Sequence, residues 1–178
     1  MPSLDVGRLV FLDETGSNAA MGRRIGWAPR GERLSLPRPA YATNVSLIGA
    51  MAHDGVRAAM AVKGPVDGDV FIAYLENFLC PKLVPGDILV MDNLRVHKLD
   101  RVKELVEATG ARVLFQPPYS PDLNPIELLW AWLKRHLRGR APRSAEAVVA
   151  CVGDLLRKLP DRLCSNWIRH CGYHHQLR

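Results

Sequence analysis

RLVFLDE, residues 8–14, carries Val10, Phe11 and Leu12 consecutively within an unbroken apolar run and ends in Asp13-Glu14. A strand with one face in water alternates apolar and polar residues. An unbroken apolar run predicts a strand buried on both faces, as in the middle of a sheet covered by helices. DILVMD, residues 87–92, repeats the pattern and also ends in an aspartate. The remaining elements arrange themselves around these two strands. NVSLIGAMA (44–52) and VRAAMAVK (56–63) read as strands joined by the turn His53-Asp54-Gly55. Asp67-Gly68-Asp69 starts a helix over 69–80, broken by Pro81, Pro85 and Gly86. A helix from His97 to Thr109, stopped by Gly110, leads to a fifth strand, ARVLFQ (111–116). Helices over 125–138, 144–158 and about 161–171 close the chain. Residues 16–43 have weak periodicity and read as an extended arm or irregular hairpin, with Trp27 as its one large anchor.

The order βββαβαβααα predicts an α/β fold, a five-stranded mixed sheet flanked by helices, with the later strands parallel. If the two doubly buried strands are parallel neighbours, their C-terminal ends lie together, where ligand sites form in open α/β sheets.

Composition agrees with one domain. The chain has 178 residues, 48% hydrophobic and 24% charged, enough for a real core. No apolar run reaches the ~18 residues of a membrane span, and the start lacks the features of a signal peptide, so a cytoplasmic protein is expected. Cys80, Cys151, Cys164 and Cys171 form no CxxC pair, which argues against a disulfide framework. Cys164, His170, Cys171, His174 and His175 lack the spacing of a compact zinc site. Trp130, Trp132 and Trp167 read as packing residues rather than base-stacking platforms.

Charge is uneven. Residues 134–178 carry ten Lys/Arg against three acids, whereas residues 1–133 carry fourteen against fifteen. Arg23, Arg24, Arg30, Arg33 and Arg38 form a second cluster opposed only by Glu32. Such patches suit a polyanion such as DNA, although solvated surface gives the same signal.

Three carboxylates are candidate metal ligands. Asp13 and Asp92 each follow an apolar run, where an unpaired carboxylate is costly to desolvate. A turn or cap at a strand end is the alternative role. Glu14 and Asn93 point to the opposite face and are weaker candidates, suited to supporting roles. Glu127 lies in QPPYSPDLNPIELLWAWLKRHLR, residues 116–138, where a proline-rich loop meets a helix. Asn124 as N-cap, Pro125 at N1 and Glu127 at N3 spell a capping box, and Leu123 and Leu128 fit a hydrophobic staple. A cap role and a ligand role are compatible, because a carboxylate held by such a start is preorganised. His97 is either a phosphate- or water-contacting residue or an exposed residue at a helix start.

FLDETG (11–16), VMDNLRVHK (90–98) and QPPYSPDLNPIELLWAWLK (116–134) resemble the three catalytic blocks of the mariner-type transposases, most closely their bacterial insertion-sequence branch. Thirty-four residues separate Asp92 from Glu127, the spacing of these Asp-Asp-Glu enzymes. GWAPRGER (26–33) resembles the family's arm between the first two strands. The resemblance implies a ribonuclease-H-like fold. It implies that Asp13, Asp92 and Glu127 are catalytic and bind two divalent ions, Mg²⁺ or Mn²⁺. Such ions sit roughly 3.5–4 Å apart and clamp the attacking and leaving oxygens of an in-line phosphodiester displacement. The implied partners are transposon ends and target DNA, often at a TA dinucleotide, with a homodimer and a nucleoid-associated location. Arg23, Arg24, Arg30, Arg33, His97, Lys134, Arg135 and Arg138, with Arg140, are the candidate DNA contacts.

Family members carry helix-turn-helix domains before the first aspartate, and twelve residues precede Asp13 here. The expectation is a single catalytic domain over 1–178 without those domains: a fragment, a degenerate copy, or a split-frame product with a separately encoded helix-turn-helix partner. Two other classes compete. A catalytically inactive DNA-binding remnant is opposed by the presence of all three carboxylates. A phosphoacceptor domain would need a Lys after a later strand, where Gln116-Pro117-Pro118 stands.

Overall fold

The computed structural model describes residues 5–21, 27–33 and 43–174. Arg23, Arg24, Arg38 and His175 lie outside the described residues. The five strands are β1 (Leu9–Asn18), β2 (Asn44–Ala52), β3 (Gly55–Lys63), β4 (Ile88–Met91) and β5 (Arg112–Phe115). They form one sheet in the order β3-β2-β1-β4-β5. The first three make an antiparallel meander, and β4 and β5 are parallel to β1. This is the mixed sheet expected from the element order.

The unbroken apolar runs occupy its centre. Residues 9–13 of β1 and all of β4 are buried. Side chains alternate across the sheet, so each run feeds two cores. Leu9, Phe11, Ile88 and Val90 face one core, while Val10, Leu12, Leu89 and Met91 face the other. Helices α3 (Ile126–Arg140), α4 (Ala145–Arg157) and α5 (Asp161–His170) close the first. Helices α1 (Gly68–Tyr74) and α2 (Asp100–Ala108) close the second. Trp130 is buried in the first core, and Trp132 and Trp167 pack against it, the packing role expected of them.

Local signals act where expected. Asp67 caps α1 by accepting from the Val70 N–H at 2.9 Å, and Ser144 caps α4 by accepting from Ala147 at 3.1 Å. Gly110 takes the left-handed conformation after α2 with φ 81°. An added Cβ there would lie 3.0 Å from Pro85 Cβ, so the stop is also a close packing point.

Four expectations change. β1 runs on to Asn18, pairing through Ser17↔Val45 and Asn18↔Asn44; its polar second half obscures the strand in the sequence. Trp27 does not act as the expected anchor among the described residues, where it is 96% exposed. The helix over 69–80 is α only to Tyr74, then π over Leu75–Leu79 and a 3-10 turn at Cys80–Lys82, where Pro81 lacks the N–H to continue. His97 does not open α2. It lies in a separate 3-10 turn, Arg95–Lys98, divided from α2 by extended backbone at Leu99.

One glycine sets the distance between sheet and helix. Gly49 stands opposite Asp13 in the β1–β2 register, and an added Cβ would come within 2.6 Å of the Trp130 ring. Trp130 lies one helical turn after Glu127. Gly49→Ala is expected to cost about 1–3 kcal/mol of stability as Trp130 is forced away. Urea denaturation checks this, and a midpoint unchanged from the parent would show that α3 yields freely.

Candidate active site

Asp13 and Asp92 come together through the strand register. β1 and β4 pair as Leu9↔Ile88, Val10↔Leu89 and Phe11↔Val90. Two further steps bring Asp13 level with Asp92, at the C-terminal edge where parallel strands leave a crevice. Glu127 arrives from the first turn of α3. The three carboxylates line one cleft of about 440 Å³ with Asn93, Gln116, Asn124 and the loop Pro117–Pro121.

Each carboxylate is held differently. Asp13 is buried; its Oδ1 accepts from the Glu14 N–H at 2.7 Å and its Oδ2 from Asn124 Nδ2 at 3.3 Å. Asp92 is half-exposed; its Oδ1 accepts from the Leu94 N–H at 3.0 Å and lies 2.7 Å from His97 Nδ1. Glu127 is exposed.

The expected capping box does not form. Asn124 has the extended backbone of an N-cap, but α3 has no side-chain cap at its start. The amide of Asn124 turns to Asp13, and the Glu127 N–H bonds instead to the Asn124 carbonyl at 3.1 Å. The carboxylate takes the amide N–H, and in that orientation the amide oxygen, the atom an N-cap would use, makes no bond to the helix N–H groups. Asn124 Oδ1 is left buried without a partner.

His97 is also corrected. It is 1% exposed, so it cannot meet a phosphate as a surface contact. Its ring lies between Asp92 and Glu14, with Nε2 3.5 Å from Glu14 Oε1, and packs 4.6 Å from the Phe71 ring. At 3.5 Å the Glu14 contact is an ion-pair approach rather than a good hydrogen bond. Burial opposes the imidazolium, yet the neighbouring Glu14 and Asp92 carboxylates outweigh it and raise the His97 pKa. Glu14 thus acts from the opposite face, as its place in the strand suggested. Asn93 donates to the Gln116 carbonyl at 2.5 Å.

Two supporting residues carried no separate signal in the sequence. Gln116 is buried and donates to the Leu123 carbonyl at 3.0 Å, tying the proline loop to the sheet. Asn124 was legible only as a cap. Among the candidate DNA contacts, Arg30, Arg33 and Arg135 are exposed, and Lys134 and Arg138 are half-buried. At 100° per residue, Glu127, Ala131, Lys134 and Arg138 fall within an arc of about 60° on α3, with Arg135 at its edge. Arg140 falls on the opposite side of α3 from this stripe and lies 2.7 Å from Asp154.

Burial pushes the Asp13 carboxyl up to about 7, and repulsion from Glu127 and Asp92 adds to it. Among the described residues, no Lys or Arg lines the cleft to offset the three acids. Among the described residues, no three His, Cys, Asp or Glu side chains close a cage around a single ion. The donor set is therefore open, made of hard oxygens and short of positive charge, which suits hydrated divalent cations.

The sign of the pH effect follows. The folded Asp13 holds its proton to a higher pH than the unfolded chain, whose carboxyl titrates near ~3.9. The Asp13 contribution to the stability of the metal-free protein is therefore fully present below ~4, is lost as pH rises to about 7, and stays lost above it. Asp13→Asn is expected to raise the melting temperature of the metal-free protein more at pH 8 than at pH 5. Equal shifts at the two pH values would contradict the buried-charge account.

Comparison with known proteins agrees with this geometry. The family model of the DDE superfamily endonucleases matches residues 8–155. The Transposable element Tcb2 transposase of Caenorhabditis briggsae is 31% identical over 180 residues, covering 91% of this chain and 65% of that protein. The Insertion element IS630 uncharacterized 39 kDa protein of Shigella sonnei is 31% identical over 107 residues, covering 58% of this chain and 31% of that protein. Among solved structures, the Mos1 transposase paired-end complex with left transposon end superposes with a TM-score of 0.78 at 22% identity, over 93% of this chain and 52% of that one. The catalytic domain of Mos1 mariner transposase gives 0.71 at 20% identity, over 93% and 78%. At such identity the structures establish the fold, which is ribonuclease-H-like. The chain spans less than two thirds of each of these two curated relatives. On the match over residues 8–155, the chain belongs to the DDE superfamily of endonucleases.

Proposed function

We propose that this chain is the catalytic domain of a mariner-type transposase, cutting and rejoining DNA phosphodiesters with divalent ions held by Asp13, Asp92 and Glu127. The observation that carries the proposal is the convergence of three carboxylates from β1, β4 and α3 on one cleft that no Lys or Arg lines among the described residues.

Bound there, two Mg²⁺ or Mn²⁺ ions would supply Lewis-acid charge to the attacking and leaving oxygens of the scissile phosphate. The chain's own residues do the positioning. Asn124 and the Glu14 N–H fix both oxygens of Asp13. His97 and the Leu94 N–H occupy Asp92 Oδ1, leaving Oδ2 for the cleft. Glu127 needs no cap duty and keeps its carboxylate for the site. In hydrolysis, a water oxygen bonds to phosphorus as the bond to the 3′ oxygen breaks, and that oxygen leaves as a 3′-hydroxyl. In strand transfer the oxygen of that 3′-hydroxyl bonds to a target phosphorus as the target's own bond from phosphorus to its 3′ oxygen breaks, and that oxygen leaves as a new 3′-hydroxyl. The stripe of Lys134 and Arg138 leading from Glu127 along α3 would hold the flanking phosphates, positioning the duplex without reading sequence. Homodimer assembly and a helix-turn-helix partner would belong to the complete transposition reaction.

Asp92→Asn and Glu127→Gln are each expected to reduce Mg²⁺-dependent nicking of supercoiled plasmid by about 100-fold or more, while Glu127→Gln melts as the parent does. Nicking that survives Asp92→Asn would sink the mechanism. Replacing Lys134 and Arg138 together by Gln should lower the slope of log K against log salt by about 2 in a duplex-binding titration. An unchanged slope would remove the α3 stripe from the DNA path.

A further inference from the structure

The chain continues past the region matched to the family, and its last described residues return to the site. Helix α5 ends in a Schellman motif. Gly172 has φ 89°, its N–H donates to the Arg169 carbonyl at 2.9 Å, and the Tyr173 N–H donates to the Ile168 carbonyl at 3.2 Å. This double closure aims Tyr173 back over the sheet. Its ring meets Phe11 edge-on, with centroids 5.0 Å apart and planes at 62°. Phe11 lies two residues before Asp13 on β1. The Tyr173 hydroxyl donates to the Leu123 carbonyl at 2.8 Å.

That carbonyl is the last before Asn124, whose side chain holds Asp13 and whose own carbonyl receives the Glu127 N–H. It already accepts Gln116 Nε2 at 3.0 Å, so both of its lone pairs are engaged. Gln116 ties the turn Pro121–Leu123 to β5 and β4, while Tyr173 ties it to β1 and α5. A turn held from one side only can pivot about that single bond; held from both sides it cannot. On the opposite flank, His170 and Cys171 wall a second cavity that also contains Asn124 and Glu127, so the end of α5 lies against the same helix start.

We infer that Tyr173 is a positioning residue for Glu127: its hydroxyl, aimed by the Gly172 turn, locks the Leu123 carbonyl and so sets where α3 presents its carboxylate to the metal site. The inference rests on the carboxylate reading of the cleft. Tyr173 touches neither metal nor DNA, and the inference assigns the effect of its hydroxyl to Glu127 by way of the turn.

The test is Mn²⁺ binding in the full chain, read from the paramagnetic resonance signal of free Mn²⁺, with no DNA present. Tyr173→Phe keeps the ring on Phe11 and removes only the hydroxyl. It is expected to weaken Mn²⁺ binding by about three- to tenfold, the lower end of what outer partners of metal ligands contribute. In a Glu127→Gln background the same change should make no further difference, because the group it positions is gone. Gly172→Ala, which misdirects Tyr173 without touching the hydroxyl, should behave like Tyr173→Phe, and Gly172→Asn, which tolerates the left-handed turn, should be milder. Unchanged binding in Tyr173→Phe overturns the inference. So does an equal loss in both backgrounds, which is what general loosening of the fold would produce. A parent protein that binds no Mn²⁺ would overturn the metal site itself, and this inference with it.

Discussion

The parallel pairing of β1 with β4 is the constraint on which the other features depend. Both strands are apolar on both faces, so neither is stable at an edge, and helices must cover the sheet on both sides. Their shared register has a second consequence: each apolar run ends in aspartate at the same level of the sheet. The demand for burial that places the strands centrally therefore also forces Asp13 and Asp92 into proximity. Two acids at adjacent strand ends repel, and burial of Asp13 aggravates the cost. A folded protein that keeps such an arrangement carries a local instability that bound cations would relieve.

The start of α3 is where local preference and site geometry compete. Residues 124–127 have the sequence of a self-capped helix. In the fold, Asn124 gives its amide to Asp13, and the helix begins with no side-chain cap. The lost cap is worth about 1 kcal/mol, whereas an unsatisfied buried carboxylate costs more. Backbone tethers around the turn Pro121–Leu123 make up the difference, with Gln116 and Tyr173 meeting on one carbonyl. Glu127 is thereby released from helix duty while remaining fixed in position by the backbone beneath it.

A fourth carboxylate, Glu14, stands behind the three that line the cleft. His97 separates Asp92 from Glu14, buried where no solvent reaches it. Its ring turns two acids on different strands into a single connected unit and determines which oxygen of Asp92 remains available to the cleft. A residue expected on the surface is in this way part of the support beneath the site.

Much of this was legible in the chain alone. Unbroken apolar runs identify central strands because both faces of a residue run must be covered, and that rule holds whatever the neighbours are. Helix starts at Asp67 and Ser144 were legible for a similar reason: the capping atoms lie within a few residues. The three carboxylates stood out through strand ends, spacing and the family blocks. The tertiary structure alone decided which partner each polar group takes. Asn124 turned its N–H to Asp13, His97 went inside, and Arg140 went to Asp154. Tyr173 reaches Leu123, fifty residues away in sequence. Such choices depend on distances between segments remote in the chain, and burial raises the stakes of each hydrogen bond beyond what local propensity can predict.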